Sequence, residues 1–224
     1  MPLRPRGNRL WEKHVQIYCQ VFRQALIALS KKSKLGKDEL ILSRQLYDLV
    51  RRECYNYSSE IAYPICEVPI VPEIESNDSI KLKKSGRPDF SCRFKNTTAT
   101  FYKESERDFH IECKCLGTPN SKSWIFNKNY VNHGIIRFDQ RASCYGEDVS
   151  YGMMIGYMLS MTLDDICAEV NAELKKNKPF FPAISFTLPI TPLFESRQAL
   201  KRTFIKPTEF TLFHFWVDLR KSSK

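Results

Sequence analysis

The spacing of apolar residues predicts two helices at the start of the chain. From Asn8 to Leu29, apolar residues recur at steps of three and four, which is typical of an amphipathic helix. A lysine-rich connector follows, and Asp38 then fits the N-cap of a second helix that continues to about Tyr55. The short link between the helices implies an antiparallel pair. The positions expected to face the core are Trp11, Val15, Tyr18, Phe22, Ala25, Leu26 and Leu29 in the first helix and Leu42, Leu46, Leu49 and Val50 in the second.

The middle of the chain changes to patterns that are typical of strands. Ile61 to Val71 is rich in apolar and β-branched residues but is interrupted by proline, which fits an edge strand or an irregular strand. Asp89 to Phe94 alternates apolar and polar residues and predicts a second strand. We expect a third strand around Glu112, and Thr98 to Tyr102 is a candidate extension of a hairpin before it.

The second half of the chain predicts two more helices and three more strands. We expect a helix from Lys128 to about Tyr145 and a buried strand from Tyr151 to Ser160, which is almost wholly apolar. Thr162 begins the next helix, and Phe181 to Ile190 and Phe210 to Leu219 are the last two predicted strands. The residues of the Thr162 helix that are expected to face inward are Ile166, Val170 and Leu174.

Charged residues gather on one face of the strand around Glu112. Side chains alternate along a strand, so His110, Glu112 and Lys114 share one face, while Ile111, Cys113 and Cys115 share the other. The second face is apolar and is expected to lie in the core. A hairpin-like return of the chain would bring Asp89 next to Glu112. For His110, a structural role is favoured over a catalytic one.

Asp89 and Glu112 together form a candidate magnesium site. Mg²⁺ takes oxygen ligands, usually one or two carboxylates with water and substrate phosphate oxygens. A lysine beside the ion, here Lys114, can orient or deprotonate an attacking water and offset the charge of the transition state. The alternative is a surface hairpin that carries an incidental Glu-Lys pair.

This motif resembles the signature of the PD-(D/E)xK nuclease superfamily. Pro88 and Asp89 match its first half, and Glu112 and Lys114 match its E-x-K half. The resemblance implies Asp89, Glu112 and Lys114 as catalytic residues, with Mg²⁺ or Mn²⁺ held by Asp89, Glu112 and the backbone carbonyl of Cys113. It also implies a restriction-endonuclease-like αβββαβ core, a mixed sheet flanked by helices, over about residues 38–160.

The resemblance suggests further residues at the site. A helix before the sheet sometimes adds another acid, for which Glu53 or Glu60 could serve. On the helix after the E-x-K strand, Arg137, Gln140 and Arg141 are candidate nucleic-acid contacts, and Gln140 with Tyr145 nearly forms the Q-x-x-x-Y of one branch, with a spacing one residue too long. Lys83 and Lys84, in a polar basic loop from Ser76 to Ser85, are weaker candidates.

Charge is distributed unevenly along the 224 residues, whose net charge is +10. Residues 1–37 hold nine Lys or Arg against one acid, and residues 197–224 hold seven against two, which leaves a net charge of −3 between them. Basic ends around an acidic middle fit a metal site that grips phosphate through flanking elements. We expect a basic helical extension over residues 1–37 and one compact nuclease domain over residues 38–224, with added strands at its end.

Composition limits the compartment and the chemistry. No run is long enough to span a membrane and no secretory signal is visible, so a soluble cytoplasmic protein is expected, without membrane partners. The eight cysteines contain no C-x-x-C pair, which argues against structural zinc and favours a reducing compartment. A Gly-rich phosphate loop is absent too, which argues against nucleotide hydrolysis by this chain alone.

Two classes of function follow from these features. The first is a Mg²⁺-dependent nuclease acting on nucleic acid, with DNA favoured by the resemblance. It could be a restriction enzyme or the effector of an antiviral defence system, and recombination, repair and transposition nucleases remain open as well. A partner subunit of a defence system and a homodimer both remain open. The second is a non-catalytic nucleic-acid-binding or assembly subunit that keeps the nuclease fold. The presence of both acids and the lysine favours the enzyme.

Overall fold

The computed structural model describes residues 6–58, 61–67, 86–97, 99, 105–119, 121–122, 124–186 and 191–220. They form an α/β protein in which two N-terminal helices precede a six-stranded mixed sheet with interspersed helices. The helices are α1 (Arg6–Ser30), α2 (Glu39–Tyr57), α3 (Phe126–Asn132) and α4 (Leu163–Asn177), with a 3-10 helix at Ile135–Asp139. The strands are β1 (Ile65–Cys66), β2 (Phe90–Lys95), β3 (Glu106–Leu116), β4 (Tyr151–Met158), β5 (Leu193–Lys201) and β6 (Glu209–Asp218).

Helices α1, α2 and α4 confirm the predicted helical patterns. Asp38 caps α2 by accepting a hydrogen bond from the amide of Ile41, and Thr162 caps α4 in the same way from the amide of Asp165. All residues predicted to face inward from these three helices are buried. The apolar periodicity was therefore a sufficient signal for these elements, because each helix buries one continuous stripe.

The sheet has the strand order β1-β2-β3-β4-β6-β5. β1, β2 and β3 pair antiparallel, β3, β4 and β6 pair parallel, and β5 returns antiparallel to β6. The central strands β3, β4 and β6 are buried on both faces, which explains why β4 and β6 are almost continuously apolar. β3 is the exception because its charged residues lie within this buried centre.

Two layers of helices cover the sheet. One apolar cluster joins α1 and α2 to the face that carries Ile111, Cys113 and Cys115 of β3, as the alternation predicts. A second cluster joins α3, the 3-10 helix and α4 to the opposite face, on which Glu112 and Lys114 lie. Within the described part of the chain, none of the helices is both long enough and apolar enough to cross a membrane.

The single helix predicted from Lys128 to Tyr145 is wrong. α3 ends at Asn132, and after a turn at Gly134 the chain continues as the 3-10 helix and then as turns. Arg137 and Tyr145, which the prediction placed on that helix, contact the same carboxylate from the 3-10 helix and from the turns after it.

The strand predicted from Phe181 to Ile190 is also wrong over the described residues 181–186, which form no strand. Here the side-chain amide of Asn171 bonds both the amide and the carbonyl of Ile184, at 2.8 and 2.9 Å, in place of a neighbouring strand. The true strand is β5, whose outward face is polar because the strand lies at the sheet edge.

The first predicted strands lie only partly within the described residues. Of the predicted Ile61–Val71 strand, Ile65–Cys66 forms the short edge strand β1, while residues 68–71 lie outside the described residues. The proposed hairpin extension from Thr98 to Tyr102 also lies outside them, apart from Ala99. β2 begins at Phe90, one residue later than predicted.

Candidate active site

The site forms where β2 leaves the edge of β3. The last residue pair between these strands is Phe90 with Ile111, and the same register continued by one residue sets Asp89 opposite Glu112. Beyond that point no strand covers the outer edge of β3 in the described structure. Instead, the amide of Cys113 donates to Oδ2 of Asp89 at 2.6 Å. Carboxylates thus occupy the edge of β3 that a strand would otherwise cover.

Glu112 is buried and held by three neighbours. Its side chain is only 2% exposed, and a buried carboxylate is costly unless it is paired. Nη1 of Arg137 donates to Oε1 at 2.6 Å, and the hydroxyl of Tyr145 donates to Oε2 at 3.0 Å. The ammonium of Lys114 lies 2.9 Å from Oε1. These contacts fix the direction in which the carboxylate points.

Lys114 lies among oxygen atoms of three residues, two from β3 and one from α2. Its ammonium donates to the carbonyl of Cys113 at 2.7 Å and to Oε1 of Glu39 at 2.6 Å, in addition to its contact with Glu112. Glu39 is the first residue of α2, and its other oxygen lies 3.4 Å from the amide of Cys115. The Lys114 ammonium therefore lies between the carboxylates of Glu112 and Glu39 and the carbonyl of Cys113.

The electrostatic balance of the site is short of positive charge. Three carboxylates, those of Asp89, Glu112 and Glu39, face the two cations Lys114 and Arg137. Burial, together with repulsion from Glu112, raises the pKa of Asp89 to about 8. Burial also raises the pKa of Glu112, against the opposing effect of Lys114 and Arg137. For Lys114, burial lowers the pKa, but the carboxylates around it outweigh burial and hold the pKa above its usual value.

The residues present fit a divalent cation. Asp89, Glu112 and the carbonyl of Cys113 provide hard oxygen donors, the kind of ligand that Mg²⁺ takes. Among the described residues, no group of three His, Cys, Asp or Glu side chains forms a metal cage. An ion here would therefore complete its shell with water or substrate oxygens, as Mg²⁺ commonly does.

Glu53, the predicted additional acid, is not part of the site. It pairs with the neighbouring Arg52 at 3.4 Å and lies roughly 21 Å along α2 from Glu39, at 1.5 Å per residue. Glu39 contributes the helix carboxylate instead. In the sequence, Glu39 is marked only as the residue directly after the N-cap Asp38; its contact with Lys114 comes from the packing of α2 against β3. Glu60 lies outside the described residues.

The candidate nucleic-acid residues differ in their surroundings. Arg137 is half-buried and bound to Glu112, so it belongs to the acidic site, whereas Gln140 and Arg141 are exposed. Tyr145 binds Glu112 but was not predicted as a site residue. Its sequence signal was the near match of Gln140 and Tyr145 to Q-x-x-x-Y. Lys83 and Lys84 lie outside the described residues.

The segment that carries Tyr145 is fixed from three sides. The amide of Gly146 donates to Nδ1 of His110 at 3.0 Å, which gives this buried histidine a structural partner. The guanidinium of Arg202 donates to the carbonyl of Gly146 at 3.0 Å. A Cβ atom on Gly86 would lie 2.4 Å from the ring of Tyr145, so this glycine packs directly against it. These contacts position the tyrosine hydroxyl on Glu112.

Comparison with known proteins gave no relative. A scan against protein-family models, a search of curated proteins and a search of solved structures found no match to this chain.

Proposed function

We propose that this chain is a metal-dependent nuclease of the PD-(D/E)xK, restriction-endonuclease-like type. The observation that carries the proposal is the meeting of Asp89, Glu112, Lys114 and the Cys113 carbonyl at the uncovered edge of β3. The order α2, β1, β2, β3, α3, β4 agrees with the αβββαβ core of that superfamily and supports the same assignment.

The residues of the site have separable roles in phosphodiester hydrolysis. Asp89, Glu112 and the carbonyl of Cys113 would hold Mg²⁺ or Mn²⁺. Such an ion, when bound, polarises the phosphate and lowers the pKa of a coordinated water. Because its pKa is held above the usual value, Lys114 remains an ammonium, which suits it to orient the attacking water and offset negative charge rather than to remove a proton.

Three further side chains support these groups. Arg137 and Tyr145 bind the two oxygens of Glu112 and keep it oriented, and Glu39 holds the ammonium of Lys114 at 2.6 Å. Arg137 is only half-buried, so it can also reach the phosphate of a bound strand. The net charge of +10 favours a polyanionic substrate, for which DNA is the class implied by the resemblance.

A cleavage assay tests the proposal directly. Plasmid and single-stranded DNA are incubated with the wild type and with Lys114→Ala in Mg²⁺, Mn²⁺ or EDTA. We expect metal-dependent cleavage that falls by at least about a hundredfold in the variant, since removing one electrostatic group from such a site commonly has that effect. Glu209→Gln, which neutralises an exposed carboxylate at the start of β6, is the control and should cleave normally.

The second candidate is a non-catalytic binding or assembly subunit with the same fold. It is favoured by the fact that Glu112 is already occupied by Arg137, Lys114 and Tyr145, an arrangement that also suits a purely structural ion network. Equal cleavage by the wild type and Lys114→Ala, or metal-independent cleavage, would exclude the assigned site. Nucleic-acid binding without cleavage in either metal would favour the subunit.

A further inference from the structure

Two exposed phenylalanines, Phe180 and Phe204, mark a second feature of the surface. Phe180 follows α4 and is 91% exposed, and Phe204 lies between β5 and β6 and is 53% exposed. Lys178 connects their loops, because its ammonium lies 5.0 Å from the centre of the Phe204 ring. We call this surface the Phe180–Phe204 platform.

One buried carboxylate joins the two loops. Buried Asp139 pairs with the ammonium of Lys178 at 2.6 Å through one oxygen. Its other oxygen accepts from the amides of Thr203 and Phe204, at 2.7 and 2.9 Å. The loop before Phe180 and the backbone of Phe204 are therefore bonded to the same side chain. Large apolar side chains that stay exposed on joined loops are candidates for contact with a ligand.

Two basic side chains contact Phe204. Arg141 is exposed and donates to the carbonyl of Phe204 at 3.3 Å, and the ammonium of Lys178 lies over the ring. Lys175 and Lys176 are exposed in the last turn of α4, and Lys206 is exposed two residues after Phe204. Asp139 is buried and paired with Lys178, while the exposed Asp148 donates its backbone amide to the carbonyl of Lys206 at 3.0 Å. The combination of aromatic faces and cations suits an anionic ligand that also carries flat rings.

The platform lies close to the candidate active site along the chain. Arg141 contacts Phe204, and Arg137 contacts Glu112. The Cα atoms of these two arginines can be at most about 14 Å apart, because they are separated by only four steps of the backbone. A strand that rests on Phe204 can therefore reach Glu112 within a few nucleotides.

We propose that the Phe180–Phe204 platform binds unpaired bases of a single-stranded nucleic acid and leads that strand to the candidate active site. Proteins that bind single strands combine aromatic stacking faces with a positively charged track for the phosphates. A duplex hides the faces of its bases, so the platform selects an unpaired segment. This inference rests on the proposed nuclease function and adds the class of substrate to it.

Binding measured without metal tests the inference. Fluorescence anisotropy in EDTA compares a labelled oligothymidylate with a duplex of the same length. We expect the wild type to bind the single strand at least tenfold more tightly than the duplex. The double variant Phe180→Leu with Phe204→Leu keeps apolar side chains but removes stacking, and it should lose at least about tenfold in single-strand affinity with little change for the duplex.

Two controls separate stacking from other effects. The double variant Phe180→Trp with Phe204→Trp should restore affinity, since indole also stacks. Tyr55→Leu changes an aromatic residue that is 69% exposed near the end of α2, roughly 24 Å along the helix from Glu39, and should bind like the wild type. Unchanged single-strand affinity in the double leucine variant overturns the inference, and so does a loss in the double tryptophan variant as large as that in the leucine variant.

Failure of the platform inference can be distinguished from failure of the nuclease proposal. A chain that binds single strands through the platform but cleaves nothing supports the binding site and removes the nuclease. A chain that cleaves while the double leucine variant binds and cleaves normally keeps the nuclease and overturns the platform. Binding of anionic phospholipid vesicles by the wild type, weakened in the double leucine variant and without single-strand binding, would favour a membrane contact and overturn the inference.

Discussion

At the residue scale, Asp89 defines the electrostatics of the site. Burial and the neighbouring Glu112 raise its pKa to about 8, so near neutral pH it holds a proton in the absence of metal. Because a metal ligand must be ionised, binding an ion there releases that proton. Metal affinity should therefore rise with pH until Asp89 is ionised.

The first prediction concerns this proton. At about pH 7, calorimetric titration of Mn²⁺ in buffers of different ionisation heat should show release of nearly one proton by the wild type and much less by Asp89→Asn.

The folded pKa lies above the unfolded value of about 4, so the stability that Asp89 contributes is complete below about pH 4 and is lost as the pH rises towards 8. In EDTA, thermal unfolding of the wild type relative to Asp89→Asn should show that loss. Identical proton release by both proteins would contradict the assignment.

Gly86 gives a second prediction at the same scale. A Cβ atom there would lie 2.3 Å from the carbonyl oxygen of Ser143 and 2.4 Å from the ring of Tyr145, so Gly86→Ala must displace the segment that orients Glu112. We expect a loss of about 1–3 kcal/mol in unfolding free energy. Metal-dependent cleavage should fall with it.

The outcome that contradicts this prediction is cleavage at the wild-type rate by Gly86→Ala, measured at a temperature at which the variant is fully folded. The position of Tyr145 would then not control Glu112.

At the element scale, the parts that the sequence predicted are those with a local physical signal. The long apolar stripe of α1, the caps of α2 and α4 and the alternation in β3 all follow from neighbouring residues. The end of α3 at Asn132 is followed by Gly134, which was a weak local signal, and the contacts that Arg137 and Tyr145 then make with Glu112 are tertiary. β5 was missed because one face of an edge strand is polar and resembles a loop.

The same distinction explains the two glutamates of α2. Both are polar residues on one helix, and no local pattern states which end of the helix meets the sheet. The structure directs the N-terminus of α2 at β3, so Glu39 contacts Lys114 while Glu53 contacts Arg52. Asp89, Glu112 and Lys114 were predictable because strand alternation fixes their faces, whereas a residue from another layer needs the packing of the whole core.

The third prediction uses that pair of glutamates. Glu39→Gln removes one charge from the ammonium of Lys114, so we expect at least about a tenfold loss in metal-dependent cleavage. Glu53→Gln is the same substitution on the same helix and should leave cleavage unchanged. Rates at saturating Mg²⁺ compare the two variants. A larger loss in Glu53→Gln than in Glu39→Gln would reverse the assignment.

At the scale of the whole molecule, buried polar groups cross the packed layers. His214 of β6 bonds the hydroxyl of Tyr130 at 2.8 Å and the side-chain oxygen of Gln198 at 3.0 Å, and Trp216 donates to the same hydroxyl. This chain of bonds connects α3, β6 and β5. His110 similarly connects β3 to the segment that carries Tyr145. Both histidines are buried, so charging either one would disturb the core rather than the surface.

The fourth prediction is a loss of stability in acid that depends on His214. Burial lowers the pKa of His214 to about 3 and that of His110 to about 4. Unfolded histidine titrates near 6.5, so the stability contributed by each group is complete above about pH 6.5 and is lost as the pH falls towards the folded pKa. Between about pH 6 and 4 each could cost up to about 3 kcal/mol, at about 1.36 kcal/mol per pH unit.

Asp89 and Glu112 act in the opposite direction, because burial raises the pKa of both, so the test compares variants rather than the wild type alone. Urea unfolding from about pH 7 to 4 should show a shallower acid slope for His214→Gln than for the wild type, even if its stability at pH 7 is lower. His133→Gln changes an exposed histidine and should keep the wild-type slope. An unchanged slope in His214→Gln would mean that His214 is protonated in the folded protein and that its bonds to Tyr130 and Gln198 rearrange, which would contradict the neutral buried network.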